Sequence, residues 1–450
     1  MQAAMELNAK MSLFSPEWRN VTIGSIGLCS MIAFEAIGVA AGMPAVAAAL
    51  DGIALYALAF AGTLAGSIVA MVWAGADCDR HGPFRSMAWG MGLFALGLLT
   101  AGLANSMSIL VVGRVIQGLG SGLLVVALYV ATARTLPPAL HPRLFALFSS
   151  AWVVPAIIGP AISGWIVAQL GWRWLFLGIG LMLLPAAALI LPPLRSHDGA
   201  ARSDQRRPAM HWPLLAAIAS LALATSAGAA GWMPLVIAVS LVAILFAAVR
   251  LLPTGTLRFE RGLPTVIALR GLNSGAFFLC EAFVPLWLHQ QRGWSLTAAG
   301  IALTGGAISW SLGSHLQSRL VDQARRHSWL SRGCLLLVVG IAVCILAVTG
   351  VLPDWSMLLG WSLSGLGVGL SLPMLGVLML KLAPREQQGS YSSALQLCAA
   401  LCTSAALAAG GLVFSLLQAR LPTTAFASVF VLAVIVAATS WRGAHRVLPK

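Results

Sequence analysis

Fourteen stretches of this chain are long and apolar enough to cross a lipid bilayer, and that repetition restricts the fold before any single residue is weighed. A hydrocarbon core of about 30 Å takes roughly 20 helical residues at a rise of about 1.5 Å each. The stretches are 21–44, 54–74, 87–105, 109–131, 145–168, 174–195, 212–231, 234–252, 264–289, 297–318, 331–351, 356–380, 391–417 and 424–441. Lipid offers no partner to backbone N–H and C=O groups, so each stretch must close its own hydrogen bonds as a helix. Composition agrees: 59% of residues are hydrophobic and only 9% charged, with a mean hydropathy of +0.90. A soluble domain carries about 25% charged residues. The fold class is therefore an all-α polytopic membrane protein.

The formal net charge is +14, a balance that in a soluble chain points to nucleic acid. Here the basic residues sit between apolar spans rather than along one patch, so they read as topology signals and nucleic acid is not an expected partner. With the N-terminus inside, cytosolic loops hold the Arg and Lys run from Arg80 and Arg85 through Arg250 to Lys381 and Arg385. Outward loops keep only Arg173, Arg292 and Arg420. An odd number of spans would invert everything after the error, so the charge pattern favours an even count. Both termini are then cytosolic, in a plasma (inner) membrane. The expected organisation is a cytosolic segment 1–20, a six-helix bundle 21–195, a basic linker 196–211, an extra hairpin 212–252, a linker 253–263, a second six-helix bundle 264–441 and a tail 442–450. The two bundles have nearly equal length and the same orientation, as parallel repeats do. The seven cysteines lie mostly inside spans and show no disulfide framework or zinc spacing, and the polar first 20 residues do not read as a cleavable signal. Tryptophans at span ends, among them Trp172, Trp174, Trp355 and Trp441, read as interfacial belts.

Against this apolar background the charges inside spans stand out. Glu35 is the one carboxylate of 21–44. A charge at that depth costs about 2.5–3.5 kcal/mol on insertion scales unless it faces protein or water. Arg114 lies roughly 8 Å below the outer end of its span and Glu35 roughly 13 Å below Pro44, a difference an arginine side chain can bridge. The two are expected to act together, directly or through water. Glu281 falls at a depth close to that of Glu35 in the first span of the second bundle, as a second proton or cation site or an acid paired within its own bundle. Gln117 and Asn273 are candidates to line a cavity or to bond neighbouring helices, and Arg270, near the cytosolic end of its span, reads as a snorkelling side chain.

Four motifs carry a resemblance. Gly75-Ala-Asp-Cys-Asp79-Arg80-His-Gly82-Pro-Phe-Arg85, between the second and third spans, resembles the signature loop of the major facilitator superfamily. Its residues suit a gate: glycines for a short turn, a carboxylate for helix N-termini, basic residues for headgroups. Arg114-Val-Ile-Gln117-Gly118-Leu-Gly120-Ser-Gly122 resembles the family's fourth-helix motif, whose arginine is linked to proton coupling; its small residues also permit close helix packing. Pro155-Ala-Ile-Ile-Gly159-Pro160-Ala-Ile-Ser-Gly164 resembles the antiporter motif of proton-driven exporters in part, Trp165 standing where a second terminal glycine is usual. Its prolines are expected to kink the helix and its glycines to contact a neighbour closely. Phe34-Glu35 through Pro44 resembles the antiporters' first-helix motif, with Glu35 for the usual aspartate and Ile37 and Ala40 in place of threonine and asparagine.

The chain is thus identified as resembling the fourteen-helix drug–proton antiporters. That resemblance implies the major facilitator fold, two six-helix bundles plus an inserted two-helix hairpin. It implies proton-coupled multidrug efflux by alternating access, an antibiotic-resistance activity, with no cofactor beyond the proton gradient and no metal. The cavity would be lined by the first, fourth, ninth and twelfth helices. With so few polar residues in the spans, the cargo is a small lipophilic or amphipathic compound, cationic ones included. Protons and membrane lipids are the other partners, and the working unit is a monomer. The same frame would serve export of an endogenous lipid, siderophore or metabolite. A membrane enzyme would need a reactive constellation that the sequence does not show, and a scaffold would tolerate loss of Glu35, Asp79 and Arg114 together.

Overall fold

Each apolar stretch carries a helix wherever the structure describes it, as a backbone without water partners requires. The computed structural model describes residues 12–195, 209–226, 230–319, 323–419 and 421–447, the side chains of 230, 296, 297 and 323–327 excepted. The basic linker expected over 196–211 lies outside the described residues up to 208, as do 1–11 of the N-terminal segment and 448–450 of the tail. The helices are α1 (Arg19–Ala49), α2 (Tyr56–His81), α3 (Pro83–Gly102), α4 (Met107–Thr135), α5 (His141–Gln169), α6 (Trp174–Arg195), α7 (His211–Thr225), α8 (Met233–Leu251), α9 (Leu263–Arg292), α10 (Leu296–Ser318), α11 (Gln323–Val348), α12 (Ser356–Leu382), α13 (Gln388–Leu417) and α14 (Pro422–Gly443). Among the described residues, twelve of them are long and apolar enough to cross a membrane; α7, with 15 residues, and α10 stand outside that set.

The chain divides into two compact units, Met1–Ala217 with Ala383–Ser393, and Ile218–Leu382 with Ala394–Lys450. Within the first unit α4 packs on α2 and α3, α6 on α1 and α3, and α1 on α5. Within the second, α12 packs on α10 and α11, and α14 on α9 and α11, the same scheme repeated.

Lipid tails are as apolar as leucine, so helices in a membrane gain from close packing rather than from leaving water. Glycine supplies the closeness. A Cβ on Gly118 would lie 2.8 Å from the Cα of Thr63 on α2, and one on Gly120 would lie 2.6 Å from the Cα of Phe94 on α3. In the second unit a Cβ on Gly369 would lie 2.9 Å from the Cα of Trp310 on α10, and one on Gly367 would lie 2.6 Å from the Leu337 nitrogen on α11. Gly113, Gly118, Gly120 and Gly122 of α4 recur at identical spacing as Gly360, Gly365, Gly367 and Gly369 of α12. Each unit is therefore built around one glycine-faced helix wedged between two others. Interfacial tryptophans mostly lie at the surface, Trp355 and Trp441 among them, but Trp172 is buried, its indole edge-on to Phe176 and covered by the Arg173 guanidinium at 4.4 Å.

Candidate functional site

α1 is not one continuous α-helix. Residues Glu35–Val39 form a π-helical turn between α-helical segments Arg19–Phe34 and Ala40–Ala49. Single π-turns widen a helix by one residue and re-aim what precedes them, and they are frequent at functional sites. This turn packs against α5 at Gly38, where a Cβ would lie 2.6 Å from the Ser163 hydroxyl.

Glu35 opens that turn, and its carboxylate receives Nη1–H of Arg114 from α4. Both residues are only 4% exposed, so the ion pair is closed within protein. The same Nη1 donates to Gln117 Oε1 at 2.9 Å, and Arg114 Nε donates to the Ala59 carbonyl of α2 at 3.1 Å. The helix spacing explains the set. Arg114 and Gln117 are three apart on α4 and so share a face. Two acceptors besides the carboxylate hold the guanidinium in place. Gln117 is fully buried and its Nε2 has no partner among the described residues, leaving an unused donor near the pair.

At the place of Arg114 in the recurring glycine pattern, the second unit has Trp361. Its indole N–H donates to the Leu303 carbonyl of α10 at 3.1 Å, and its ring stacks on Phe277 at 4.6 Å between centroids. The backbone anchorage of the arginine is thus kept by an indole, while the charge is gone. Glu281 lies one turn beyond Phe277 on α9, half-buried, with no hydrogen-bond or ion-pair partner among the described residues. Asn273 is fully buried and bonds Cys334 Sγ at 3.4 Å and Ser371 Oγ at 3.2 Å, tying α9 to α11 and α12. Arg270 does not snorkel outward. Its guanidinium donates to the Leu372 carbonyl and to Gln396 Oε1, both at 3.2 Å.

The last turns of α2 separate two acids. Residues two apart on a helix point about 200° apart, so Asp77 and Asp79 serve different neighbours. Asp79 accepts from the Gly389 N–H at 2.6 Å, the Ser390 N–H at 2.8 Å and the Ser390 hydroxyl at 2.5 Å, capping the first turn of α13. That places a carboxylate at the positive end of a helix. Gly75 makes the approach possible, since a Cβ there would lie 2.7 Å from Ser393 Cβ. Asp77 instead accepts from the Ser86 hydroxyl at 2.7 Å and meets His81 Nδ1 at 2.9 Å and Arg85 Nε at 3.5 Å. Gly82 turns the chain with φ 85°, a conformation side chains resist, and Arg80 is half-buried at the end of α2. Sequence reasoning missed Asp77; its spacing of four to His81 was the available signal. Asp79→Asn keeps one acceptor and loses the charge. It is expected to lower stability by about 1.5–3 kcal/mol and to speed hydrogen exchange at Gly389 and Ser390; unchanged exchange there would refute the cap.

The expected close contact through the α5 glycines is not what the structure shows. Gly159 has ordinary room, with Ile37 Cγ2 3.7 Å from a built Cβ, and Gly164 has nothing within 4 Å. Pro155 and Gly159 are buried, Pro160 and Gly164 exposed. The tight α1–α5 contact is made from the other side by Gly38, because the π-turn brings that residue against α5.

The model of the Major Facilitator Superfamily matches residues 23–407 and, a second time, 266–448. The chain belongs to the major facilitator superfamily. A second match beginning inside α9 accords with the recurring glycines of α4 and α12. Among superfamily relatives, a Mycobacterium tuberculosis (strain ATCC 25618 / H37Rv) protein named a probable multidrug-efflux transporter is 28% identical over 380 residues, covering 79% of this chain and 78% of the relative. A multidrug resistance protein B homolog of the same organism is 25% identical over 342 residues, 70% of this chain and 61% of that protein. In fold, the chain is similar to the human organic anion transporter MFSD10 (TETRAN), with a TM-score of 0.67 at 17% identity over 94% of this chain and 100% of that one. It is similar also to a bacterial homologue of the iron transporter ferroportin, with a TM-score of 0.71 at 13% identity, covering 95% and 98%. As a major facilitator protein the chain is a multi-pass membrane transporter of small molecules, not an enzyme.

Proposed function

We propose that this transporter is a proton-coupled exporter, an antiporter that removes lipophilic or amphipathic compounds, cationic ones included, by alternating access. The observation that carries the reading is the buried cluster of Glu35, Arg114 and Gln117 at the π-helical turn of α1. In the closed pair the Glu35 carboxylate faces the Arg114 guanidinium and is shielded from water. A proton arriving on Glu35 removes the charge that Arg114 faces, and the pair opens. Arg114 keeps the Ala59 carbonyl and Gln117 meanwhile, so it does not follow the acid. Release of the proton restores a carboxylate that either a cargo cation or Arg114 can meet, and this competition is what couples the two flows. Glu281, with no partner among the described residues, serves as a second proton or cation site on α9. Asp79, held by the first turn of α13, is the gate latch, with Gly75, Arg80, Gly82 and Arg85 around the turn beside it.

The relatives named for multidrug efflux support cargo of this kind. α7 and α10 are read as crossing the membrane with the other twelve helices, which makes fourteen crossings with both ends on the cytosolic side of the inner membrane. In proteoliposomes with an imposed pH gradient, Glu35→Gln is expected to lose proton-driven efflux of lipophilic cations by a factor of ten or more while the protein stays folded. Full pH-driven efflux by that variant would refute the assigned role.

A further inference from the structure

The end of α14 carries a feature that proton and cargo chemistry leave unused. Beyond Gly443 the chain turns through Ala444–Arg446, and with α11 and the segment before α9 it encloses an open cavity of about 580 Å³. Trp441, Arg442, His445 and Arg446 line it, together with Ser331 of α11 and Phe259.

This cavity is constructed rather than incidental. Phe259 holds φ 54°, a left-handed conformation that bulky residues rarely adopt. Its ring lies over Gly443, where a Cβ would stand 2.9 Å from Cδ1. The Gly262 N–H donates to the Arg446 carbonyl at 3.0 Å, fastening the segment before α9 to the turn after α14. Ala444 and Val447 are fully buried and anchor the turn, leaving Arg442, His445 and Arg446 exposed. None of those three side chains has a hydrogen-bond acceptor or ion-pair partner among the described residues. Glu260, next to Phe259 in the chain, folds its carboxylate back over Gly255 instead. A cation at the end of a helix gains from the helix dipole, but that gain needs no aromatic wall and no second guanidinium.

A phosphoryl anion fits two unpaired guanidinium groups, which bind its oxygens in fork geometry. The surroundings decide its source. Val431 and Ile435 are exposed on the face of α14 that leads, through Thr439, to Arg442 at helical spacing. An apolar track ending at Trp441 and two arginines matches acyl chains, glycerol region and phosphate in order. We propose that this cavity binds the phosphodiester headgroup of an anionic phospholipid, with its acyl chains lying along α14. The site stands apart from the Glu35 cluster, so it can hold or fail whatever the outcome for proton coupling.

The test uses the full-length protein in detergent, titrated with dioctanoyl phosphatidylglycerol, dioctanoyl phosphatidylcholine or inorganic phosphate, with bound lipid counted by native mass spectrometry. Phosphatidylglycerol is expected to bind the wild type at least tenfold more tightly than phosphatidylcholine. Arg442→Gln with Arg446→Gln is expected to abolish that preference, and Arg442→Lys with Arg446→Lys, which keeps the charge but not the fork, to retain only part of it. Equal binding of the two lipids by the wild type, or an unchanged preference in the glutamine pair, overturns the site. Inorganic phosphate that displaces phosphatidylglycerol at equal concentration overturns the lipid source. A photoactivatable phosphatidylglycerol on the wild type supplies a readout independent of variant folding. Its adducts are expected on Ser331 and on 439–446, and adducts confined elsewhere overturn the proposal.

Discussion

Arg114→Ala is expected to destabilise the protein by about 3–5 kcal/mol, the cost typical of removing one partner from a buried ion pair. The loss leaves Glu35 at 4% exposure with no cation and strips a donor from both Gln117 and the Ala59 carbonyl. Two independent consequences separate this from ordinary loss of packing. Adding Glu35→Gln to Arg114→Ala removes the stranded charge, so the double variant should recover most of the stability, with a coupling energy of about 1.5 kcal/mol or more in a double-mutant cycle. Transport should stay lost in both. Unfolding by heat in detergent measures the first, and proton-driven efflux the second. An Arg114→Ala protein within about 1 kcal/mol of the wild type would show that the pair is not the organising contact of α1 and α4.

Gly118→Leu should be of similar size for a different reason. A Cβ at 118 would stand 2.8 Å from both the Cα and the carbonyl carbon of Thr63. Those are backbone atoms and cannot rotate away, so α2 and α4 must separate along their shared face. Overpacking of side chains typically costs about 1–3 kcal/mol; prying apart two backbones should reach or exceed the top of that range and reduce the folded yield. Gly164→Ala is the contrast, because nothing lies within 4 Å of a Cβ there. It should change stability by no more than about 0.5 kcal/mol. If the two variants lost folded protein equally, motif membership rather than backbone proximity would be the better guide.

These two glycines show where sequence reading stops. Both sit in family motifs and both were open to a close-packing explanation, yet only Gly118 meets a backbone. The same holds for the arginines: Arg114 and Arg270 each lie within a span, yet Arg114 meets Glu35 in an ion pair, while Arg270 turns inward to Leu372 and Gln396 instead of outward. The recurrence that puts Trp361 where α4 has Arg114 was present in the letters, but its meaning came from the shared hydrogen bond to a neighbouring carbonyl.

Taken alone, the letters determined the helices, the presence of a costly acid at position 35 and the depth at which an arginine could meet it. All three follow from positions along the membrane normal, where hydropathy and a rise of about 1.5 Å per residue suffice. Tertiary structure decided which way each residue faces around its helix. The π-turn that aims Glu35 and presses Gly38 on Ser163, the division of labour between Asp77 and Asp79, and the cavity beside Trp441 and Arg446 all depend on that rotation. The azimuth is set by neighbouring helices far off in the chain, and in a helix apolar on every side no local pattern records it.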